Sequence, residues 1–335
     1  MKKILVVFTG GTFSMMIDQE TGGAVPRFSG SELLDMIPDV RTLADIDYYD
    51  FGKYPGPHIT PQLMLQLSKK VKEFLSKNIY DGIVITHGTD TLEETAYFLD
   101  LTINTSLPIV LTGSMKNSSE PDWDGPRNLI DSIQICLNEN SKNLGVLVCL
   151  NGEINAASEV TKIYSDSVES FKSLDFGNLG FVQNGRVIYN RLPHFLEKIE
   201  TDVIDDNIDM ITVYAGMDDK FFRFSADSGV SGIVVEALGV GNVPPPAFEG
   251  IKYAVEKGIP VVLTSRCPAG ETDYIYSYPG AGKHLHDIGV IFADYINGQK
   301  ARIKLMIVLG RTRNIDEIRN YFESQVLKPG YICIR

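Results

Sequence analysis

Short β-branched runs, each followed by a small or polar turn, recur along this chain and restrict its fold more than any other feature; in the first half each ends in a threonine or asparagine with a glycine within two residues. In the first half they read "ILVVFTGGT" from Ile4, "IVITHGTDT" from Ile83, "IVLTGSM" from Ile109 and "GVLVCLNGE" from Gly145. An unbroken apolar run such as Ile4 to Phe8 cannot alternate faces, so it reads as a strand buried on both sides. Helix-like segments separate the runs. That alternation predicts parallel strands joined by crossovers, with ligands bound beyond the carboxyl ends of the strands. The polar turns are therefore where a site is expected. The second half repeats the unit with "MITVYAG" from Met210, "GIVVEALGVGN" from Gly232, "PVVLTSRCPAG" from Pro260 and "GVIFADYINGQ" from Gly289. The expected fold is α/β, with two doubly wound Rossmann-like domains. The larger takes residues 1–190, a charged, proline-containing connection takes 191–208, and the smaller takes 209–335, with the boundary near residue 200.

A chain of 335 residues is too long for one ordinary core, and its 44% hydrophobic and 22% charged content is that of a globular protein. The net charge of −12 repels phosphate backbones and anionic lipid heads, which argues against nucleic-acid or membrane partners. Met1-Lys2-Lys3-Ile4 opens like a signal peptide, but the apolar run stops after Phe8 and no small-residue cleavage site follows, so a cytoplasmic chain is expected. Cys136, Cys149, Cys267 and Cys333 form no CxxC pattern and sit in or beside apolar segments. They read as buried, reduced thiols, with no metal site.

The segment "VITHGTDTLEETAYFLDL" from Val84 places Leu92, Thr95, Ala96 and Leu99 at helical spacing just after a strand. Asp90 with Glu93, and Thr91 with Glu94, each fit a capping box. Taken alone, Asp90 is then a cap and His87 a hydrogen-bonded structural histidine. The first turn, "FTGGTFS", has neither the G-x-G-x-x-G nor the Walker A spacing, so nucleotide binding has weak support.

"TGGT" at the first strand end, followed by "HGTDTLEETAYFL" at the next Thr-Gly turn, resembles the two signatures of the bacterial-type L-asparaginases in order and separation. The resemblance continues through "DGPRNL" from Asp124, "EVTKIYSDSVESFKSLDFGNLG" from Glu159, "GVGN" from Gly239 and "NGQKARIKL" from Asn297, nearly the whole chain. It implies hydrolysis of L-asparagine to L-aspartate and ammonia, without a cofactor, in a homodimer or homotetramer. By this resemblance Thr12 is the attacking residue, while Thr89, Asp90 and Lys162 form a second catalytic group in which the lysine eases deprotonation of the threonine. The chemistry requires such groups: a hydroxyl is a poor nucleophile until its proton is taken, and the oxyanion of an amide needs donors. Asp90 is also the expected partner of the substrate ammonium. Gly11, Gly88 and Ser114 are expected at the substrate, and Asn242 and Tyr276 as contributions from a second subunit.

Three departures from the family pattern stand out. Gly56 and Pro57 occupy the positions of a Ser-Gln pair that holds the substrate in other members, which widens the expected amide choice. The long segment "SMMIDQETGGAVPRFSG" reads as an active-site flap, but Ala24 stands where many members carry a tyrosine, and within the segment only Ser14 is a strong candidate to supply a hydroxyl in its place. "DYIYSYPGAGK" from Asp273 replaces an acidic residue that some relatives supply from a neighbouring subunit; its alternating tyrosines also suit an edge strand. Alternatives to an asparaginase are a broader asparaginase/glutaminase amidase and a non-catalytic α/β amino-acid-binding protein. If the cluster supplies the missing hydroxyl, Tyr276→Phe lowers kcat with unchanged melting, while Tyr274→Phe and Tyr278→Phe do not; equal turnover in all three variants assigns the cluster a structural role.

Overall fold

The computed structural model describes residues 1–293 and 295–323, and the chain divides into two compact units, 1–200 and the residues from Thr201 onward. The first unit is built on an eight-stranded sheet. Its strands are β1 Lys3–Gly10, β2 Asp45–Tyr54, β3 Gly82–Thr86, β4 Ile109–Thr112, β5 Val146–Leu150, β6 Glu153–Ala156, β7 Gly180–Gln183 and β8 Arg186–Tyr189. Across the sheet the order is β8, β7, β6, β5, β4, β3, β1, β2. The five strands from β2 to β5 in that order are mutually parallel, as the crossover pattern predicts. Residues 4, 6 and 8 of β1 face one side, where Ile4, Val6 and Phe8 pack with Val84, Val110, Leu33, Leu34 and the Gly125–Leu137 helix through Leu129 and Ile133.

Two parts of this sheet are absent from the sequence reading. Strand β2, "DIDYYDFGKY", lies at the edge and is only partly buried, so it keeps a polar, alternating sequence rather than an apolar run. The other part is the antiparallel end, β5 to β8. Asn151 and Gly152 have φ of 50° and 75°, and Asn184 and Gly185 have 50° and 73°. Each pair joins neighbouring antiparallel strands, Leu150 facing Glu153 and Gln183 facing Arg186. These are Asn-Gly hairpin turns of the type whose twist matches the strands. The turn of "LNGE" thus reverses the chain instead of opening a ligand site.

The second unit carries β9 Ile208–Thr212, β10 Gly232–Ala237, β11 Val261–Ser265 and β12 Ile291–Phe292, paired in that order and all parallel. Ile233, Val235 and Leu263 pack with Phe222 and Ile251 of the flanking helices. Together the two sheets make the mixed α/β architecture, large and then small, that the sequence predicts. Cys136 and Cys149 are buried, but Cys267 is exposed because it follows β11 on a polar bend; Cys333 lies outside the described residues. The tyrosines at 274, 276 and 278 form no strand. Tyr274 stacks on His286 at 4.3 Å, Tyr276 lies 6.0 Å from Tyr278, and all three remain about half exposed. Among the described residues, no helix is long and apolar enough to cross a membrane.

Candidate functional site

Loops leaving the carboxyl ends of β1, β2, β3 and β4 converge in the first unit, and their close approach depends on glycine. Gly11 sits at φ 73°, and a Cβ placed there would lie 2.4 Å from both Cα and N of Gly88. A Cβ on Gly88 would in turn lie 2.6 Å from Cα of Gly56. Any side chain at either position separates loops whose backbones are in contact. The Gly11 N–H donates to Tyr54 O at 2.9 Å, so this residue contributes proximity rather than a free donor.

Thr12 begins a single helical turn, Thr12–Ser14, immediately after β1. Phe13 in the same turn is wholly buried, 5.6 Å from the Trp123 ring and 6.4 Å from Phe8. Burial of Phe13 fixes the turn and leaves Thr12 partly exposed. Ser14, the hydroxyl expected near it, is buried and donates to Gly11 O at 3.1 Å, which removes its proton from any relay to Thr12.

Thr89 and Asp90 follow β3. Lys162 lies on the two-residue strand Thr161–Lys162, paired antiparallel with Phe171–Lys172 outside the main sheet. Its Nζ donates to Thr89 Oγ1 at 3.0 Å and to Asp90 Oδ1 at 2.9 Å. A lysine and a Thr-Asp pair more than seventy positions apart thus meet in one cluster. The Asp90 side chain is 57% exposed and that of Lys162 only 16%. An ion pair with one partner this exposed contributes about 1 kcal/mol or less to stability, so folding alone gives little reason for it.

The capping boxes are not formed. Thr91 is the N-cap of the Leu92–Thr102 helix but makes no side-chain capping bond; its hydroxyl donates to Gly56 O at 2.8 Å, and Asp90 faces Lys162 instead. Local spacing supports a cap, but partners from two distant loops take both side chains. Gly56 is buried in the turn Gly56–His58 while Pro57 is exposed. Ser114, after β4, is wholly buried, and its hydroxyl donates to Asp124 Oδ1 at 2.7 Å. The same carboxylate accepts from Met115 N, Lys116 N and Asn128 Nδ2, each at 3.0 Å. Asp124 and Asn128 belong to "DGPRNL", and the sequence reading gives them no role; the signal was a carboxylate one turn before an amide at a helix start. Asn242 and Tyr276 belong to the second unit. Asn242 bridges Leu238 through paired backbone hydrogen bonds, and its Oδ1 accepts from Gly282 N at 3.3 Å.

The segment expected to form a flap is a hairpin, Met15–Ile17 against Ala24–Pro26. Asp18 organises its tip by accepting from Thr21 N at 2.8 Å and Thr21 Oγ1 at 2.9 Å. Its base is tied to the loop after β4: Ser118 donates to Met15 O through N at 3.1 Å and Oγ at 2.8 Å, and Ile17 N donates to Ser119 Oγ at 3.0 Å. Ala24 is exposed on the second strand.

Beneath the site, His87 is fully buried with Nδ1 2.8 Å from Gly88 O and Nε2 3.0 Å from Thr95 Oγ1. A carbonyl can only accept, so Nδ1 carries the proton and Nε2 accepts from the threonine. Burial pushes the imidazole pKa down to about 4, and the structural reading of this histidine holds.

Residues 3–194 match the family model for the asparaginase N-terminal domain, and residues 207–322 match that for the glutaminase/asparaginase C-terminal domain. An L-asparaginase of Bacillus licheniformis is 34% identical over 92% of this chain and 95% of its own length. L-asparaginase 2 of Escherichia coli is 32% identical over 96% of this chain and 92% of its own. A component of the glutamyl-tRNA(Gln) amidotransferase of Methanobrevibacter smithii is 28% identical, with 97% of this chain and 76% of that protein covered. A crystal structure of a probable cytoplasmic L-asparaginase from Campylobacter jejuni superimposes with a TM-score of 0.87 at 31% identity, covering 96% of this chain and 99% of that one.

His87 makes stability pH-dependent. Its folded pKa of about 4 lies below the ordinary value of 6.5, so the unfolded chain takes up the proton first. The neutral-state stability is intact above pH 6.5 and falls as pH drops toward 4, by an amount on the order of 3 kcal/mol from this residue. His87→Gln is expected to flatten the fall of Tm across that window, measured by thermal melts at stepped pH.

Proposed function

Because the chain belongs to the asparaginase family, its two domain models together spanning most of the sequence, we propose that it hydrolyses the side-chain amide of L-asparagine to L-aspartate and ammonia. The observation that carries this reading is a lysine ammonium aimed at a threonine hydroxyl and held by an aspartate, beside loops whose backbones meet at Gly11, Gly88 and Gly56.

Thr12 Oγ attacks the amide carbon, the carbonyl electrons move onto oxygen, and collapse of the tetrahedral species expels the nitrogen, which leaves with a proton as ammonia. Water then attacks the resulting ester, releasing aspartate and restoring the Thr12 hydroxyl. The positive Nζ of Lys162, 3.0 Å from Thr89 Oγ1, lowers the cost of an anionic Thr89 oxygen that takes or relays a proton. Asp90 Oδ1 anchors the lysine, and the carboxylate also receives the substrate ammonium; its exposure leaves room for both. No cofactor is required for these steps. The enzyme acts in the cytoplasm as a homodimer or homotetramer; the cytoplasmic part of this reading is supported by the name of the Campylobacter structure, although a Haemophilus influenzae relative is named periplasmic.

A broader amide choice is the second reading. Gly56 and Pro57 offer no side-chain donors where the family pattern has them, and some relatives are named for glutamyl-tRNA(Gln) amidotransferase. Ammonia release from L- and D-asparagine, L-glutamine and simple amides separates the two: asparagine-selective turnover supports the first reading, and comparable glutamine turnover the second.

Thr12→Ala, Thr89→Val and Lys162→Met are each expected to lower kcat by orders of magnitude in folded protein; near-normal turnover by Thr89→Val or Lys162→Met removes the second group from the mechanism. Asp90→Asn is expected to melt within a few degrees of the parent, since no cap is lost, and to turn over poorly. Full activity in that variant would deny the carboxylate both tasks.

A further inference from the structure

Lys162 reaches Thr89 and Asp90 from a strand of two residues, so something outside that strand must hold it in register. The segment rises from a turn at Ala156, whose carbonyl accepts from Glu159 N at 3.1 Å and Val160 N at 3.0 Å. Glu159 is three residues before Lys162, with only Val160 and Thr161 between them. Its side chain is wholly buried, and Arg191 binds it two-pronged: Nη1 donates to Oε1 at 3.3 Å and Nη2 to Oε2. His194 N donates to Oε1 at 2.7 Å. Arg191 also donates to Gly177 O and, at 3.0 Å, to Leu192 O. Glu159 and Arg191 together therefore gather the root of the lysine strand, the loop at 177 and the segment 191–194. On the partner strand Phe171 is buried, and Lys172 pairs with Glu153 of β6, so the hairpin is gripped at both ends.

We propose that Glu159 and Arg191 form a positioning pair for Lys162, fixing the ammonium against Thr89 through the short connection of Val160, which is buried, and Thr161. The inference rests on Lys162 acting on Thr89 as proposed above. Neither residue touches the reacting atoms. A planar guanidinium fork sets both distance and angle of the carboxylate, which a lysine in its place does not reproduce. Displacing an acting group by about an ångström costs on the order of a hundredfold in rate, so small slack at Glu159 is visible in turnover.

The test compares Glu159→Gln, Glu159→Asp and Arg191→Lys in the full-length protein, measuring ammonia release from L-asparagine across pH at a temperature where circular dichroism shows each variant folded. Expected are a kcat reduced about ten- to a hundredfold with KM within about threefold, because the substrate contacts are intact. The rising limb of kcat against pH should also move to higher pH, since a loosened ammonium stabilises the Thr89 oxyanion less. Lowered Tm with parental kcat and an unmoved limb would overturn the proposal and leave the pair a structural anchor. Should Glu159→Gln fail to fold, Arg191→Lys, which keeps both charges, decides by the same criteria. Lys162→Met separates the two levels. Normal turnover in that variant removes the mechanism itself, whereas an inactive Lys162→Met beside fully active pair variants removes only the positioning role.

Discussion

Everything at the site depends on backbone meeting backbone. Gly11, Gly88 and Gly56 stand in file, and the spaces between them are too small for a methyl group. That contact brings the ends of three adjacent parallel strands within reach of one another and lets Thr12, Thr89 and Asp90 occupy a single patch. A close-packed interior does not deform to admit an extra carbon, so the arrangement is rigid before any ligand arrives. The groups around it are fixed in turn by their neighbours: buried Phe13 for the first turn, half-buried Thr91 for the Gly56 loop, half-buried Asp124 for the Ser114 loop and buried His87 beneath the second turn.

Parallel strands and their ligand end are legible in the sequence because strands buried on both faces must be apolar throughout, and "ILVVF" and "IVIT" leave no other reading. The edge strand Asp45–Tyr54 is not, because partial burial lets polar residues alternate and dilutes the signal. The antiparallel end of the sheet was written in two Asn-Gly pairs, Asn151-Gly152 and Asn184-Gly185. Set among turns that all contain glycine, the first reads as one more ligand loop; only the two-residue spacing to a following strand marks it as a hairpin.

At the site, the asymmetry is between residue types and their partners. Thr12, Thr89, Asp90 and Lys162 are recognisable by motif, yet no local rule places Lys162 against Asp90, since a carboxylate before a helix reads as a cap whatever lies opposite. The supports are harder to read. Asp124 and Glu159 are ordinary acidic residues in sequence, and only the donors gathered on each carboxylate reveal that it organises a loop. Ser14 shows the converse case: it is suitable by type and position, but its hydroxyl is committed to Gly11 O.

The hairpin of Met15–Ile17 and Ala24–Pro26 has two strands of three residues each, too few to stay paired alone in water. Its order comes from the bonds to Ser118 and Ser119 and from the Asp18 turn. Such a module lies at the low end of the range of local opening free energies, and it opens together with its tether rather than by itself. Since that tether continues from the Ser114–Lys116 backbone held by Asp124, the hairpin and the loop after β4 share one set of supports. In hydrogen exchange, the amides of Ile17 and Ser118, which join hairpin to loop, would lose protection at a common rate, a clock for how often the two segments part.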